Sequence, residues 1–262
     1  MLRGLYSSAT GMRAQEINID NISNNIANAN TTGFKKQSAL FADLMYQYLT
    51  DPGSPTSQQT TNPNGLGIGL GVKAVGTQRH FTQGDLTSTG NQLDVAIQGE
   101  GFIEVLLPDG NQAFTRAGQL QLNADGALVT PDGYEIQPGI TIPIGSTSIS
   151  IGQDGTVSVL QPGATAPTQV GNLLGSRFPN KAGLRAIGQN LYTPTEASGA
   201  AIQGTFTQEG FGTLTQGFLE SSNVSIVEQV VSMIAAQRAY EASSKGIQTA
   251  DDMAQQAINL KR

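Results

Sequence analysis

The stretch that decides the fold lies near the end of the chain and reads Ser225-Ile-Val-Glu-Gln-Val-Val-Ser-Met-Ile-Ala-Ala-Gln-Arg-Ala-Tyr240. Apolar side chains recur at intervals of seven through it and beyond it, at Ile226, Met233, Tyr240, Ile247 and Ala254. Side chains seven residues apart lie on one face of an α-helix. Ser225 and Glu228 have the spacing of a capping box, which satisfies backbone N–H groups at a helix start. The stretch therefore predicts a long amphipathic helix that ends near Leu260.

The beginning of the chain carries a similar pattern. Apolar side chains three, four or seven positions apart form a stripe, at Leu5, Ala9, Met12, Ile19, Ile22, Ile26 and Ala29. Gly33 follows the stripe and is a plausible helix stop, because glycine readily adopts the conformation that ends a helix. We therefore predict a helix over about the first thirty residues. Periodicity alone leaves two alternatives: the terminal helices bury their stripes within one molecule, or against partner chains.

A second stripe accompanies the apolar one on the N-terminal helix. Its members are Asn18, Asn21, Asn25 and Asn28, spaced by three, four and three residues. Asparagine favours a helix less than lysine or glutamate does, so a solvated face has little reason to use it four times. An amide both donates and accepts hydrogen bonds. The stripe is therefore a candidate contact for a neighbouring chain; the alternative is that it faces solvent or a lumen.

The middle of the chain has β character. Four Asp-Gly pairs are turn signals, because both residues tolerate positive φ; they stand at 109–110, 125–126, 132–133 and 154–155. Residues 46–71 are poor in charge and rich in Pro, Gly, Thr and Gln, which favours an extended loop or arm. The expected fold is α+β: residues 1–33 and 221–262 form a coiled-coil-like helical layer, 34–74 an extended linker and arm, and 75–220 a central antiparallel β domain.

Composition excludes several classes of function. The net charge of −6 disfavours nucleic-acid binding, and the absence of cysteine removes disulfides and thiolate chemistry. His80 is the only histidine, and neither a catalytic motif nor a phosphate-binding glycine loop occurs. We therefore expect no enzyme, no cofactor and no metal site. The N-terminal residues lack the apolar core of a signal peptide, and no segment is apolar enough to span a membrane.

Three segments carry a resemblance to a known family. The first runs from Asn24-Asn25-Ile26-Ala27-Asn28 to Thr32-Gly33-Phe34-Lys35. The second contains Leu93-Asp94-Val95-Ala96-Ile97-Gln98-Gly99-Glu100-Gly101-Phe102 and Thr115-Arg116. The third contains Ser222-Asn223-Val224 and Gln237-Arg238-Ala239-Tyr240-Glu241. Together they resemble the signatures of flagellar rod and hook proteins.

This resemblance implies a structural role. Such proteins assemble into helical tubes, with the terminal helices lining an export channel and the β domain outside. It further implies that the chain leaves the cell body through the flagellum's own type III apparatus, lies in the periplasmic rod of the basal body, and transmits motor torque. The implied partners are copies of itself, other rod proteins proximally, hook protein distally and the surrounding envelope rings.

Within the family, the length and the segment 46–72 resemble members that build the distal part of the rod; Gln58-Gln59-Thr60-Thr61 belongs to that segment. Proximal rod and hook-type subunits are alternatives, and a secreted β-domain binding protein is an alternative of another class. Candidate assembly residues follow from the stripes and the resemblance. They are Asn18, Asn21, Asn24, Asn25, Ile26, Asn28, Gly33, Phe34, Met233, Gln237, Arg238, Tyr240 and Glu241.

Overall fold

The computed structural model describes residues 2–54, 62–164, 166–208 and 210–259. Two compact units are present. The helical unit comprises Met1–Ala27, Gln37–Gln78 and Ser225–Arg262, and the β unit comprises Asn28–Lys36 and Arg79–Val224. The domain boundaries expected at 33, 74 and 220 stay a prediction. Gln58 to Thr61 and the helix end at Leu260 lie outside the described residues.

Both predicted terminal helices are confirmed. Helix α1 spans Leu2–Ala27 and helix α2 spans Ile226–Asn259. At the start of α2 the Glu228 N–H donates to Ser225 Oγ at 3.4 Å, as the predicted capping box requires. Gly33 does not end α1 directly; it lies in the turns that follow, with φ +70°.

The two helices pack against each other in antiparallel directions. A Cβ added to Gly11 would lie 3.3 Å from Ser243 Oγ, and one added to Gly246 would lie 2.9 Å from Ser8 Oγ. Contact through these positions brings the backbones close, since glycine has no side chain. The residues of α2 that are buried in this unit recur at sevens, at Gln229, Ala236 and Ala250 with half-buried Ser243 between them. The predicted apolar seam lies beside this face: Met233, Ile247 and Ala254 are half-buried, whereas Ile226 and Tyr240 are exposed.

The strands lie between the helices in the sequence. The described residues form twenty strands: β1 Gln37–Asp43, β2 Tyr46–Thr50, β3 Leu66–Gly69, β4 Val72–Arg79, β5 Leu86–Ser88, β6 Val95–Gln98, β7 Phe102–Leu106, β8 Gln112–Thr115, β9 Gln121–Leu122, β10 Leu128–Val129, β11 Glu135–Ile136, β12 Ser148–Ile151, β13 Thr156–Leu160, β14 Thr168–Asn172, β15 Leu174–Arg177, β16 Arg185–Gly188, β17 Leu191–Thr193, β18 Ile202–Thr205, β19 Thr213–Gln216 and β20 Phe218–Glu220. A short 3-10 helix spans Lys181–Gly183. With the two helices, this confirms the α+β class.

The helical unit contains two small β pairings. Strand β1 pairs with β4, and β2 pairs with β3 in antiparallel register from Tyr46↔Gly69 to Thr50↔Leu66. The ends of the segment predicted as an extended arm therefore form a two-stranded ribbon, and most of its side chains are exposed.

The β unit contains the large sheet and the main core. Nine strands form one sheet, in the order β16-β17-β8-β7-β11-β10-β9, with β15 paired to β7 and β18 paired to β15. Smaller sheets are β12-β13-β14, β6-β19 and β5-β20. The core of branched aliphatic side chains includes fully buried Val95, Ile103 and Val157. A second cluster of aromatic rings centres on Phe102, whose ring meets Phe178 and Tyr192 edge to face.

All four Asp-Gly turn predictions are confirmed. Each pair joins two strands that hydrogen-bond in antiparallel register: β7 to β8, β9 to β10, β10 to β11 and β12 to β13. The glycines have φ of +81°, +80°, +88° and +93° along the chain. Glycine adopts this region without the steric cost that a Cβ imposes, which explains why local sequence alone located these hairpins.

Candidate assembly site

A buried carboxylate, Glu220, lies at the centre of a charged cluster in the β unit. Its Oε1 accepts a hydrogen bond from Lys35 Nζ at 2.5 Å, and its Oε2 accepts one from Arg116 Nε at 2.6 Å. The Gly84 N–H donates to Oε1 at 2.9 Å. At most 2% of the surface of each of the three charged residues is accessible. Burial of this kind is tolerated only where charges are paired and their remaining hydrogen-bonding groups satisfied.

The two cations have further partners. Arg116 donates through Nη2 to the Gly99 carbonyl at 2.6 Å and through Nη1 to the Gly101 carbonyl at 3.3 Å. Lys35 donates from Nζ to the Thr82 carbonyl at 2.8 Å. These backbone carbonyls solvate the cations in place of water. The cluster therefore ties together the segments around residues 35, 82, 99, 116 and 220.

The cluster has one positive charge more than it has negative charge. Burial lowers the pKa of Lys35 below its ordinary value of 10.5; the charge of Glu220 opposes this effect, and the charge of Arg116 adds to it. Desolvation penalises the charged form, which for an amine means easier loss of the proton. Lys35 is thus held at the site by its hydrogen bonds although its surroundings disfavour its charge.

Gly33 and Phe34, two predicted assembly residues, are buried beside this cluster. The Gly33 N–H donates to the Glu220 carbonyl at 2.8 Å, and its φ is +70°. A Cβ at Gly33 would lie 2.8 Å from the Ala117 backbone nitrogen, so only glycine fits. The guanidinium of Arg79 lies 5.9 Å from the centre of the Phe34 ring, within cation–π distance. Both residues therefore pack within the subunit.

Asn223 joins the same region of the β unit through its amide. Oδ1 accepts from the Lys36 N–H at 2.7 Å. Nδ2 lies 2.8 Å from the His80 carbonyl, 2.9 Å from Thr82 Oγ1 and 3.1 Å from the Thr82 carbonyl. One side chain thus holds two segments that are distant from it in the sequence.

Asn25 has a comparable position in the helical unit. It is 1% exposed. Its Nδ2 donates to the Gln37 carbonyl at 2.7 Å and to Gln229 Oε1 at 3.1 Å, and its Oδ1 accepts from the Gln37 N–H at 2.9 Å. The amide therefore binds α1 to β1 and α2, and these bonds lie inside the subunit. Asn25 is not available as a contact for a neighbour in the way the stripe hypothesis assumes.

The other members of the asparagine stripe are less buried. Asn18, Asn21 and Asn28 are half-buried, and Asn24 beside them is exposed. Asn21 donates to the Ile17 carbonyl at 2.8 Å, and Asn18 lies 3.4 Å from Gln15 Oε1. Asn28 accepts from Thr31 Oγ1 at 3.1 Å. Their role in assembly stays a prediction, as does that of half-buried Ile26.

The assembly residues predicted on α2 lie mostly at the surface. Gln237, Arg238, Tyr240 and Glu241 are exposed and Met233 is half-buried. Arg238 Nη1 and Glu241 Oε2 form an ion pair of 2.9 Å, with side-chain exposures of 77% and 55%. An exposed pair of this kind contributes about 0–1 kcal/mol to stability, so it is not what holds the subunit together.

The first turns of α2 expose a row of branched apolar side chains. Val227, Val230, Val231 and Ile234 are 74%, 42%, 61% and 53% exposed. Their spacing of three, four and seven places them on one helix face. Contiguous exposed apolar surface is characteristic of a contact with another protein.

Metal-ligand clusters and membrane-spanning helices are both absent from the described residues. The described part of the chain contains no group of three or more His, Cys, Asp or Glu side chains placed to hold a metal ion. Neither α1 nor α2, over its described residues, is long and apolar enough to cross a membrane.

Sequence reasoning did not identify Glu220 as a site residue. The sequence did carry a signal, because the carboxylate of Glu220 directly follows apolar residues of strand β20. In the structure Leu219 and Glu220 are both buried. Lys35, Arg116 and Asn223 were quoted for the family resemblance, but their spacing of 81 and 107 residues gives no local reason to place them together. The structure brings all three of the quoted segments to this cluster.

Comparison with known proteins yields three family matches. Residues 5–35 match "Flagella basal body rod protein", residues 96–159 match "Flagellar hook protein FlgE/F/G D1 domain", and residues 215–260 match "Flagellar basal body rod FlgEFG protein C-terminal". Lys35, Arg116 and Glu220 each come from a different one of these segments.

Full-length relatives are also similar to the chain. The flagellar basal-body rod protein FlgG of Buchnera aphidicola subsp. Acyrthosiphon pisum is 48% identical over 260 residues, covering 99% of this chain and 100% of the relative. The protein of the same name from Borreliella burgdorferi is 48% identical over 264 residues, with 100% of both chains covered. The flagellar hook protein FlgE of Helicobacter pylori is 35% identical over 197 residues, which are 71% of this chain and 27% of that protein.

Proposed function

Because the chain belongs to the flagellar basal-body rod protein family and is a structural subunit of the rod, we propose that its copies build the distal part of the rod as a helical tube. The observation that carries this proposal is the exposed apolar row on α2, at Val227, Val230, Val231 and Ile234. The helix pair is already closed through small residues, so these branched side chains have no place in its interior. Burial against a second copy removes them from water.

The contact between copies is heterologous in this proposal. Two different surfaces of one chain meet on neighbouring copies, and a rotation that does not close then generates a filament. The candidate surfaces are the α2 row with its neighbours Met233, Gln237, Arg238, Tyr240 and Glu241, and the part of α1 that carries Asn18, Asn21, Asn24 and Ile26. Asn28, the first residue after α1, stays a predicted assembly residue. The helices would form a coiled-coil-like layer around an export channel, with the β unit outside.

The role is mechanical and not catalytic in this proposal. The subunit transmits motor torque through the periplasm and is exported through the flagellar type III apparatus without a cleaved signal peptide. Its neighbours are other rod proteins on the proximal side, hook protein on the distal side and the envelope rings around the shaft. Full-length similarity to rod proteins supports this assignment over a hook-type subunit, since the alignment spans 27% of the Helicobacter hook protein.

A pair of matched variants tests the assembly surface. Val231→Asp places a charge in the apolar row, and Ser232→Asp places the same residue at an exposed position about 100° or more around the helix from every member of the row. Valine, serine and aspartate have similar helix propensities, so both subunits remain folded. Electron microscopy of the concentrated purified proteins should find tubes for the wild type and Ser232→Asp and none for Val231→Asp. Normal tubes from Val231→Asp would contradict the proposal, and a wild type that sediments as a monomer at all concentrations would favour the binding-protein alternative.

A further inference from the structure

The β unit has four chain ends, at Asn28, Lys36, Arg79 and Val224, where the polypeptide continues into the helical unit. Asn223 immediately precedes one of these ends. Its amide bonds to the backbone of Lys36, at the second end, and to the carbonyls of His80 and Thr82, next to the third. We call this set of contacts, formed by Lys36, His80, Thr82 and the Asn223 side chain, the chain-end clamp.

Direct backbone contacts strengthen the chain-end clamp. The His80 N–H donates to the Lys36 carbonyl at 2.9 Å, so the second and third chain ends also meet without the Asn223 amide. The other three residues of the clamp, Lys36, His80 and Thr82, are 141 to 187 residues away from Asn223 in the sequence. A local turn or helix cap does not require such bonds, because those motifs satisfy backbone groups within a few residues.

The Glu220 cluster forms a second layer beneath the chain-end clamp. Lys35 and Glu220 belong to the same two terminal segments as Lys36 and Asn223, and Lys35 bonds to the Thr82 carbonyl that Asn223 also approaches. The layer is tightly packed at Gly84, where an added Cβ would lie 2.1 Å from the Ser221 carbonyl oxygen. The same three segments are thus joined twice, once by the Asn223 amide and once by Lys35, which pairs with Glu220 and donates to the Thr82 carbonyl.

We infer that Asn223 is a positioning residue, which holds three of the four chain ends of the β unit at fixed spacing so that they carry mechanical load together. This inference rests on the proposed function of a torque-bearing rod subunit. Connections that are cross-linked share a load, whereas separate connections extend one after another. The bonds have the location that such sharing requires, and they involve backbone groups of Lys36, His80 and Thr82 that cannot be altered by ordinary side-chain substitution.

The test compares Asn223→Ala with a matched asparagine variant. Asn123 also bonds through its side chain to backbone, its Oδ1 accepting from the N–H groups of Asp125 and Ala127 at 3.0 and 2.8 Å. It lies in the turn between β9 and β10, far along the sequence from every chain end. Asn123→Ala therefore removes similar bonds without touching the chain-end clamp. Thermal unfolding of the two purified subunits identifies a growth temperature at which both are folded.

The readout is mechanical. Strains that depend on each variant for their rod swim in media of rising viscosity, and the fraction of cells that shed flagella is counted. We expect both strains to resemble the wild type at low viscosity and Asn223→Ala to shed flagella several-fold more often at high viscosity. If both purified variants are equally folded and only the Asn223→Ala strain lacks rods, that result would also support the positioning role of Asn223. Matching load curves for the two variants would overturn the inference.

A second variant separates the clamp from general stability. Asn223→Asp retains an acceptor for the Lys36 N–H and lacks the donor that binds His80 and Thr82, so it should shed flagella under load as well. Load tolerance equal to wild type in Asn223→Asp would overturn the inference even if Asn223→Ala failed to assemble. The proposed function has a separate test, since it would be contradicted by wild-type subunits that form no tubes in micrographs.

Discussion

The buried side chain of Lys35 links the stability of the β unit to pH, which can be measured. Its ammonium group is fully buried and paired with Glu220, which also serves Arg116. Burial lowers the pKa of Lys35; the charge of Glu220 opposes this effect, and the charge of Arg116 adds to it. The hydrogen bonds to Glu220 and Thr82 hold the chain in place, while the charge itself opposes folding.

The lowered pKa of Lys35 predicts that stability rises with pH. Between the folded-state pKa and the ordinary 10.5, the unfolded chain binds the proton more tightly, so unfolding takes up a proton and becomes harder as pH increases. Urea titrations from about pH 7 to about pH 9.5, below tyrosine ionisation, should show this slope, and Lys35→Met should flatten it. Burial raises the pKa of Tyr192, so its contribution lies above this range.

Lys73→Met is the matched control for this measurement, since Lys73 is an exposed lysine of the helical unit. Its profile should keep the wild-type slope. A Lys35→Met profile parallel to that of the wild type would show that the pH dependence arises elsewhere.

At the scale of elements, the packing of the β2–β3 ribbon explains why strand β3 contains glycines. Gly67 and Gly69 alternate along β3 and pair with Tyr48 and Tyr46 of β2. A Cβ at Gly67 would lie 3.0 Å from Tyr48 Cε1, so the ring lies across the strand where a side chain would stand. Both tyrosines remain 55% exposed, and Leu49 and Leu66 are similarly open to solvent. The ribbon thus presents aromatic and aliphatic surface outside the unit's own packing.

Removal of the ribbon should weaken tubes without unfolding the subunit. The ribbon can be excised as Tyr46–Gly69, with Met45 joined to Leu70 through Asn-Gly, because the Leu44 N–H bonds to the Gly71 carbonyl at 2.8 Å and closes the base. We expect the variant to form tubes of lower bending stiffness in electron micrographs, since contacts of the exposed tyrosines with neighbours are lost. Exchange of residues 51–65 alone for Asn-Gly keeps both strands and is the control. Equal stiffness in wild type and the excised variant would argue against a role for the ribbon.

The whole molecule combines two units with different sources of order. The β unit has an aliphatic core, an aromatic cluster and the buried Glu220 cluster. The helix pair meets through small residues such as Gly11 and Gly246, and several larger apolar side chains on α2, among them Val227 and Val231, are exposed. Little apolar surface therefore stabilises the helices of an isolated subunit, although each is long.

Limited proteolysis of the isolated subunit should reveal this difference. We expect cleavage within residues 2–27 and 226–259 before cleavage within 79–224, because local opening is easiest where few apolar contacts are lost. Mass spectrometry of the early fragments gives the order. Assembled tubes serve as the control, and their helices should become protected. Equal protection of residues 2–27 and 79–224 in the monomer would refute the prediction.

Features governed by neighbouring residues were predictable from the sequence. The two terminal helices follow from apolar periodicity, and the four hairpins follow from Asp-Gly pairs, because helix hydrogen bonds and tight turns close within a few residues. The antiparallel α+β class follows from these elements. The family resemblance was equally a property of the sequence, since it depends on the order of residues and not on their contacts.

The pairing of distant residues was decided by the tertiary structure alone. The heptad pattern of α2 did not show which face meets α1, because Gln229, Ala236, Ser243 and Ala250 give a weaker apolar signal than the larger side chains beside them. The use of Asn25 inside the subunit, and the meeting of Lys35, Arg116 and Glu220, depend on chain folding over 81 to 204 residues. Periodicity records which side chains share a face, but burial depends on what the fold brings opposite that face.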